Sequence, residues 1–264
     1  MTSTQRGSSS RGRRRWTSLR GMVLAMATAV VVGGGATTAA AASAVDADFD
    51  PQVAEYQQAL AEAGFYRGAV DGLDGRMTRA AVLAFEKAAG LERDGVWESL
   101  HMRHLSRFEP QLVERGGEAD RVEVDLTNQI GYLIVESELR GIFGVSSGND
   151  EVYQHPNGYT GVATTPRGDF AFNRHREGVW EAPLGQLYEP WYFKGGFAIH
   201  GSSSVPAWPA SHGCVRVTNW DADWLTEHLD LGMPVHIWDG PVAEPALLVY
   251  ETPVWLESAG VHPI

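Results

Sequence analysis

Apolar residues recur at helical spacing as far as Phe108 and alternate at strand spacing from Val122, so two kinds of secondary structure must share this chain. In the first part, Asp50 reads as an N-cap with Pro51 at the first helical position. Val53, Tyr56, Leu60 and Ala63 then follow on one face until Gly64 ends the run. Asp71-Gly72 and Asp74-Gly75 are tight turns in which glycine supplies positive φ. Thr78 reads as the N-cap of a second helix with Ala81, Val82, Phe85 and Ala88 inward, and Gly90 closes it. Beyond the Asp94-Gly95 turn, Leu100, His104, Leu105 and Phe108 support a third helix. Three helices over about sixty residues make a small bundle whose marginal core is expected to lean on a neighbour. Residues 109–118, with Pro110, Gly116 and Gly117, read as a linker.

From residue 119 to 239 the pattern is β-rich. Val122, Val124 and Leu126 alternate with Glu123 and Asp125 as a half-buried strand, and Ile130 to Val135 and Leu139 to Val145 give two more. Asp169 to Phe172 and Val235 to Trp238 add short strands. A helix opens at Asn219 with Trp224, Leu225 and Leu229 on one face and stops at Gly232. The expected class is α+β in two domains: a three-helix bundle, then a sandwich-like β-rich domain with a short helix. The tail, 240–264, is expected to pack on that domain as a strand or strap.

Charge is unevenly placed. Six of the 21 basic residues lie before residue 45, where there is no acid, leaving 15 against 33 acids and a net charge of −18 for the rest. So negative a surface argues against a nucleic-acid partner. Residues 1–44 have an arginine-rich start, an apolar stretch from Gly21 to Val32 and Ala42-Ser43-Ala44 at the end. They read as an export signal cleaved after Ala44, too short in its apolar part to span a bilayer comfortably. The mature protein is expected outside the cytoplasm.

There, an unpaired cysteine is unexpected unless its chemistry is used, and Cys214 is the single cysteine of 264 residues. An aromatic, strand-like run from Trp191 leads to His200-Gly201, and Cys214 sits in Ser211-His212-Gly213-Cys214-Val215-Arg216. A thiol attacks an amide only as thiolate, and an imidazole titrating near neutrality can take its proton. His200 and Cys214 can meet across a sheet despite the residues between them. Two other readings exist: an inert buried cysteine, or zinc on His200, His212 and Cys214, for which there is no zinc-ligand spacing. Arg216 either tunes the thiol and holds a substrate carboxylate, or pairs with Asp221 or Asp223. The stretch from Tyr153 to Trp191 reads as a long loop. It holds His155, Tyr159, Arg174, His175, Arg176, Trp180, Tyr188 and Trp191; either the arginines pair with a substrate carboxylate and the aromatics line a groove, or they pin the loop to the sheet.

Two resemblances add to this. The string "VAEYQQALAEAGFYRGAVDGLDGRMTRAAVLAFEKAAGLERDGVW" resembles the three-helix peptidoglycan-binding domain, which implies contact with cell-wall glycan through residues 50–108, or a spacer role. "TPRGDF", "GGFAIHG" and "SHGCVR", in that order, resemble the YkuD-type L,D-transpeptidase catalytic domain. That resemblance implies Cys214 as nucleophile, His200 as general base and the Gly201 carbonyl as acceptor for the other ring nitrogen. It also implies an oxyanion hole from the amides of His212, Gly213 and Cys214. Ser211, Arg216, Tyr192, Arg174 and Trp180 are then candidates to bind substrate. No cofactor and no metal are needed. Donor and acceptor stem peptides of peptidoglycan are the implied partners, and carbapenem-type inhibitors are expected to acylate Cys214. The alternatives are an L,D-carboxypeptidase or hydrolase using the same site, and a wall-binding scaffold without activity.

Overall fold

The computed structural model describes residues 49–112 and 117–245, so the expected export signal, part of the expected linker and most of the tail lie outside the described residues. Three helices come first, α1 (Pro51–Glu62), α2 (Arg76–Ala89) and α3 (His101–Leu105). Strands β1 (Arg121–Asp125), β2 (Ile130–Val135), β3 (Glu138–Gly144), β4 (Val152–Gln154), β5 (Thr160–Val162) and β6 (Gly168–Ala171) follow. Then come β7 (Arg174–His175), β8 (Val179–Ala182), β9 (Gly185–Lys194), β10 (Phe197–Ser202), β11 (Val215–Thr218), α4 (Asn219–Thr226) and β12 (Pro234–Trp238). One sheet runs β3-β2-β1-β12-β6 and a second β11-β10-β9-β7, with β8 also on β9 and β4-β5 as a separate hairpin. Among the strand pairings of the described residues, β1–β12 and β10–β11 are the parallel ones.

Between the sheets lies a core of Val122, Val124, Leu133, Phe143, Ile199, Val215, Val217 and Val235, joined by Leu225 of α4. The expected helical bundle and β-rich sandwich are both present. A second core fills the opposite face of the first sheet. There Ile130, Tyr132, Ile134 and Ile142 pack directly among Leu60, Phe65, Val82 and Phe85 of the helical module. Strand β2 is therefore apolar along its whole length because alternate residues serve different cores. Burying four large side chains this way is worth about 6–10 kcal/mol, which supports a bundle too small to stand alone.

Polar ties lock the same junction. Ile142 N donates to Gly64 O at 2.9 Å, and Arg67 reaches Ile142 O and the buried Asp221 carboxylate, each at 2.9 Å. Arg67 also lies 3.7 Å over the Trp224 ring. From α2, the fully buried Lys87 donates to Val145 O at 2.9 Å and Pro206 O at 3.1 Å.

Several expectations need correction. Strand β1 is buried on both faces: Glu123 and Asp125 are as inaccessible as the valines between them. Arg121 donates to Glu123 at 2.7 Å, while Asp125 collects the amides of Thr127, Asn128 and Gly240. Thr78 is not an N-cap: Gly75 precedes α2, and Thr78 is buried in its first turn, donating to Leu73 O and accepting from Gln57. The stretch from Tyr153 to Trp191 is not one loop, as β4 to β9 run through it. Several of these strands are two to four residues long and largely exposed, so no apolar alternation announces them. Of the tail, residues 240–245 are described, and Ala243 N donates to Asn128 Oδ1 at 2.8 Å; the apolar residues 247–256 lie outside the described residues. A Cβ on Gly90, left-handed at φ +68°, would collide with the Ala243 carbonyl.

Candidate active site

The parallel pairing of β10 with β11 sets the site. Ile199 is opposite Val215 and His200 opposite Arg216. Side chains alternate along a strand, so with Ile199, Val215 and Val217 in the core, His200, Cys214 and Arg216 share the other face. All three line one cleft of about 610 Å³.

His200 is buried, and its Nδ1 is 2.8 Å from Gly201 O. A carbonyl only accepts, so Nδ1 carries the proton and Nε2 keeps its lone pair. Gly201 is required there, because a Cβ would meet Tyr188 at 2.8 Å, Asn219 Oδ1 at 2.9 Å and Ala222 at 3.0 Å. Burial pushes the imidazole down to about 4; the Gly201 carbonyl opposes this and the Arg216 charge adds to it. Cys214 is half-buried, its sulfur 3.8 Å from Gly196 O. Burial raises the thiol, with a backbone hydrogen bond at Ala198 and the Arg216 charge pulling the other way. Both shifts favour the uncharged forms, thiol and imidazole.

A tight turn presents the sulfur. Ser211 Oγ accepts from Gly213 N at 3.0 Å and donates to Cys214 O. Gly213 has φ +124°, and a Cβ would sit 2.6 Å from Phe197 Cε1 and 3.1 Å from Thr164 O. Thr165 Oγ1 donates to Gly213 O at 2.9 Å and accepts from Gly148 N at 2.8 Å. Underneath, Ser147 O accepts the amides of Ala210 and Ser211, while Ser147 itself is gripped by the buried Gln129 side chain. Ser146 pairs with Arg216 by reciprocal backbone bonds of 2.9 and 3.0 Å.

A catalytic-domain model of the L,D-transpeptidase (YkuD) family matches residues 119–237, and a putative peptidoglycan-binding domain model matches residues 49–105. A crystal structure of an L,D-transpeptidase from Xylanimonas cellulosilytica is 41% identical, covers 72% of this chain and 95% of its own, and superposes with a TM-score of 0.68. The chain belongs to the L,D-transpeptidase family. L,D-transpeptidase structures from Stackebrandtia nassauensis (21% identity, 73% and 94% coverage, TM-score 0.43) and Mycobacterium smegmatis (19%, 46% and 58%, 0.37) are more distant. No curated protein matches it.

In this L,D-transpeptidase the cleft brings together Cys214, His200, Ser211, His212, Arg216, Tyr192, Arg174 and Trp180, each singled out in the sequence. Gly201 and Gly213 lie behind them as backbone supports. The Gly213 amide is a correction: it is spent on Ser211 Oγ and so is not free to face an oxyanion. His212 sits at the exposed rim, edge-on to Tyr153 with ring centroids 4.9 Å apart. His155 and Tyr159 stack at 4.3 Å on the same wall. The other aromatics of the supposed loop do not reach the cleft. His175 stacks on Trp191 and pairs with Glu189, and Tyr188 donates to Asp223. The alternative ion pairs of Arg216 do not form, since Asp221 is held by Arg67 and Asp223 by Tyr188. Gln129, Ser146 and Ser147 escaped the sequence reading. Gln129 reads in the sequence only as the end of the Thr127-Asn128-Gln129 turn, and Ser146 and Ser147 only as two polar residues after a strand.

Proposed function

We propose that the protein is an exported cell-wall L,D-transpeptidase in which Cys214 attacks the carbonyl of the third residue, a diamino acid, of a peptidoglycan stem. The observation that carries this is His200 Nδ1 held by Gly201 O, which leaves a basic Nε2 on the strand face that also bears Cys214. As sulfur attacks, His200 Nε2 takes its proton, so no thiolate is needed beforehand. The amides of His212 and Cys214 stabilise the tetrahedral oxyanion. Protonated His200 then gives its proton to the leaving nitrogen, expelling D-Ala and leaving a thioester. The side-chain amine of a second stem attacks the thioester, His200 accepts the amine proton, and collapse releases the thiol with a 3→3 cross-link formed. The helical module, matched by a peptidoglycan-binding model, holds the enzyme to wall glycan.

Purified protein given disaccharide-tetrapeptide is expected to release D-Ala and form a cross-linked dimer, and a carbapenem is expected to add one drug mass at Cys214. Cys214→Ala abolishes both. D-Ala release without dimer assigns the hydrolytic reaction instead, and an intact cysteine after carbapenem treatment overturns the mechanism.

A further inference from the structure

The cleft carries a charge pattern that proton transfer between Cys214 and His200 does not require. The chain has 33 acidic residues against 21 basic ones, yet no Asp or Glu lines the cleft, while Arg174 and Arg216 both do. Arg176 stands just behind, its guanidinium 3.6 Å over the ring of Trp180, which is a lining residue. Among the described residues none of these three arginines is in an ion pair. Nearby carboxylates are committed elsewhere: Glu189 to His175 and the Gly178 amide, Asp223 to Tyr188. Arg174 lies 3.9 Å over Tyr192 and touches only the Gly195 carbonyl, and Arg176 Nε is buried without a partner. Guanidinium groups stacked flat on aromatic rings keep their N–H edges pointing outward in a fork that matches a carboxylate.

Register fixes how far this second positive wall is from the sulfur. Tyr192 is opposite both Ala198 and Arg174, and Ala198 is one residue before the Ile199–Val215 pair, level with Cys214. Cys214, Ala198, Tyr192 and Arg174 thus make one row across four neighbouring strands, about 14 Å from end to end at strand spacing. Side-chain reach shortens that to about two residues of an extended peptide. Arg216, two residues from Cys214, serves the scissile end. Resting on the stem-peptide reading above, we infer that Arg174 and Arg176 form a carboxylate subsite for the stem residue preceding the diamino acid. The enzyme therefore selects stems in which that carboxylate is free over those in which it is a carboxamide.

The test uses two synthetic tetrapeptides that differ only in carboxylate or carboxamide at the second residue. A charge-assisted hydrogen bond lost here is expected to lower kcat/KM for D-Ala release about tenfold for the carboxamide, and Arg174→Gln with Arg176→Gln closes the gap between the two peptides. Calorimetric binding of the same peptides to Cys214→Ala gives the same ratio without turnover, and added salt weakens the carboxylate peptide more than the carboxamide. Equal affinities in that variant, or a preference that survives the double arginine replacement, overturns the subsite. Preferential binding without D-Ala release from active protein leaves the subsite standing and instead removes the proposed reaction.

Discussion

Replacing Lys87 with methionine removes a buried amine while keeping the length of the side chain. The amine is fully buried, has no acidic partner, and is held near 7 by burial first and the Arg93 charge second. Its ordinary value is 10.5. Between these values the lysine is charged in the unfolded chain and neutral in the folded one. Unfolding therefore takes up a proton, and stability rises with pH across that window. Each pH unit of full linkage is worth about 1.4 kcal/mol, and the amine is half titrated at pH 7, so from pH 7 to 9 the wild type gains about 2 kcal/mol from this group that the variant does not. Methionine also leaves Val145 O and Pro206 O without their donor, at about 1–3 kcal/mol each, but that loss is the same at every pH. Urea midpoints of both proteins at pH 6, 7, 8 and 9 separate the two effects, because carbonyl loss displaces the curve and proton linkage changes its slope. Parallel curves would refute the assignment of a depressed, solvent-free amine.

Arg67→Met strips the buried Asp221 carboxylate of its cation and is expected to lower stability by about 3–5 kcal/mol in denaturant titration, with Asp221→Asn in the same background recovering part of it. Gly213→Ala forces an L-residue to φ +124° and drives a methyl against Phe197. It is expected to slow carbapenem acylation by about 10²-fold or more, followed as adduct mass against time, and Phe197→Ala does not restore it because the backbone strain remains. His200, lowered to about 4 by burial, stays a neutral base well below its usual range. The acid limb of the acylation rate should therefore lie near pH 4, and a limb at the ordinary imidazole position of about 6.5 speaks against the buried placement.

Where one physical rule governed a segment, the sequence was legible. Asp50-Pro51 marked the start of α1, the apolar run from Ile130 marked β2, and Asn219 opened α4, because cap chemistry and periodicity are local. The thiol and imidazole were legible as a pair, and both line one cleft. Features set by distant partners were not. Glu123 and Asp125 looked like a wet strand face because nothing local says that Asp125 will be claimed by Gly240, 115 residues on, or that Glu123 will be buried. The short strands between Tyr153 and Trp191 exist through pairing with β9, with β12 and with each other, not through their own composition. Gln129 resembled a turn residue, yet its amide is a buried brace for Ser147, a role visible only once β3 and the Ser211 turn lie side by side.

The shared core beneath the helices has a practical corollary for anyone trimming the gene. A fragment beginning at residue 119 would bring Ile130, Tyr132, Ile134 and Ile142, each at most 3% exposed in the intact chain, into open water as one sticky panel. It would also orphan the Asp221 carboxylate that Arg67 neutralises. The segment matched by the catalytic-domain model is thus smaller than the folding unit, and an expression product that begins at residue 119 is expected to aggregate unless residues 49–112 are retained.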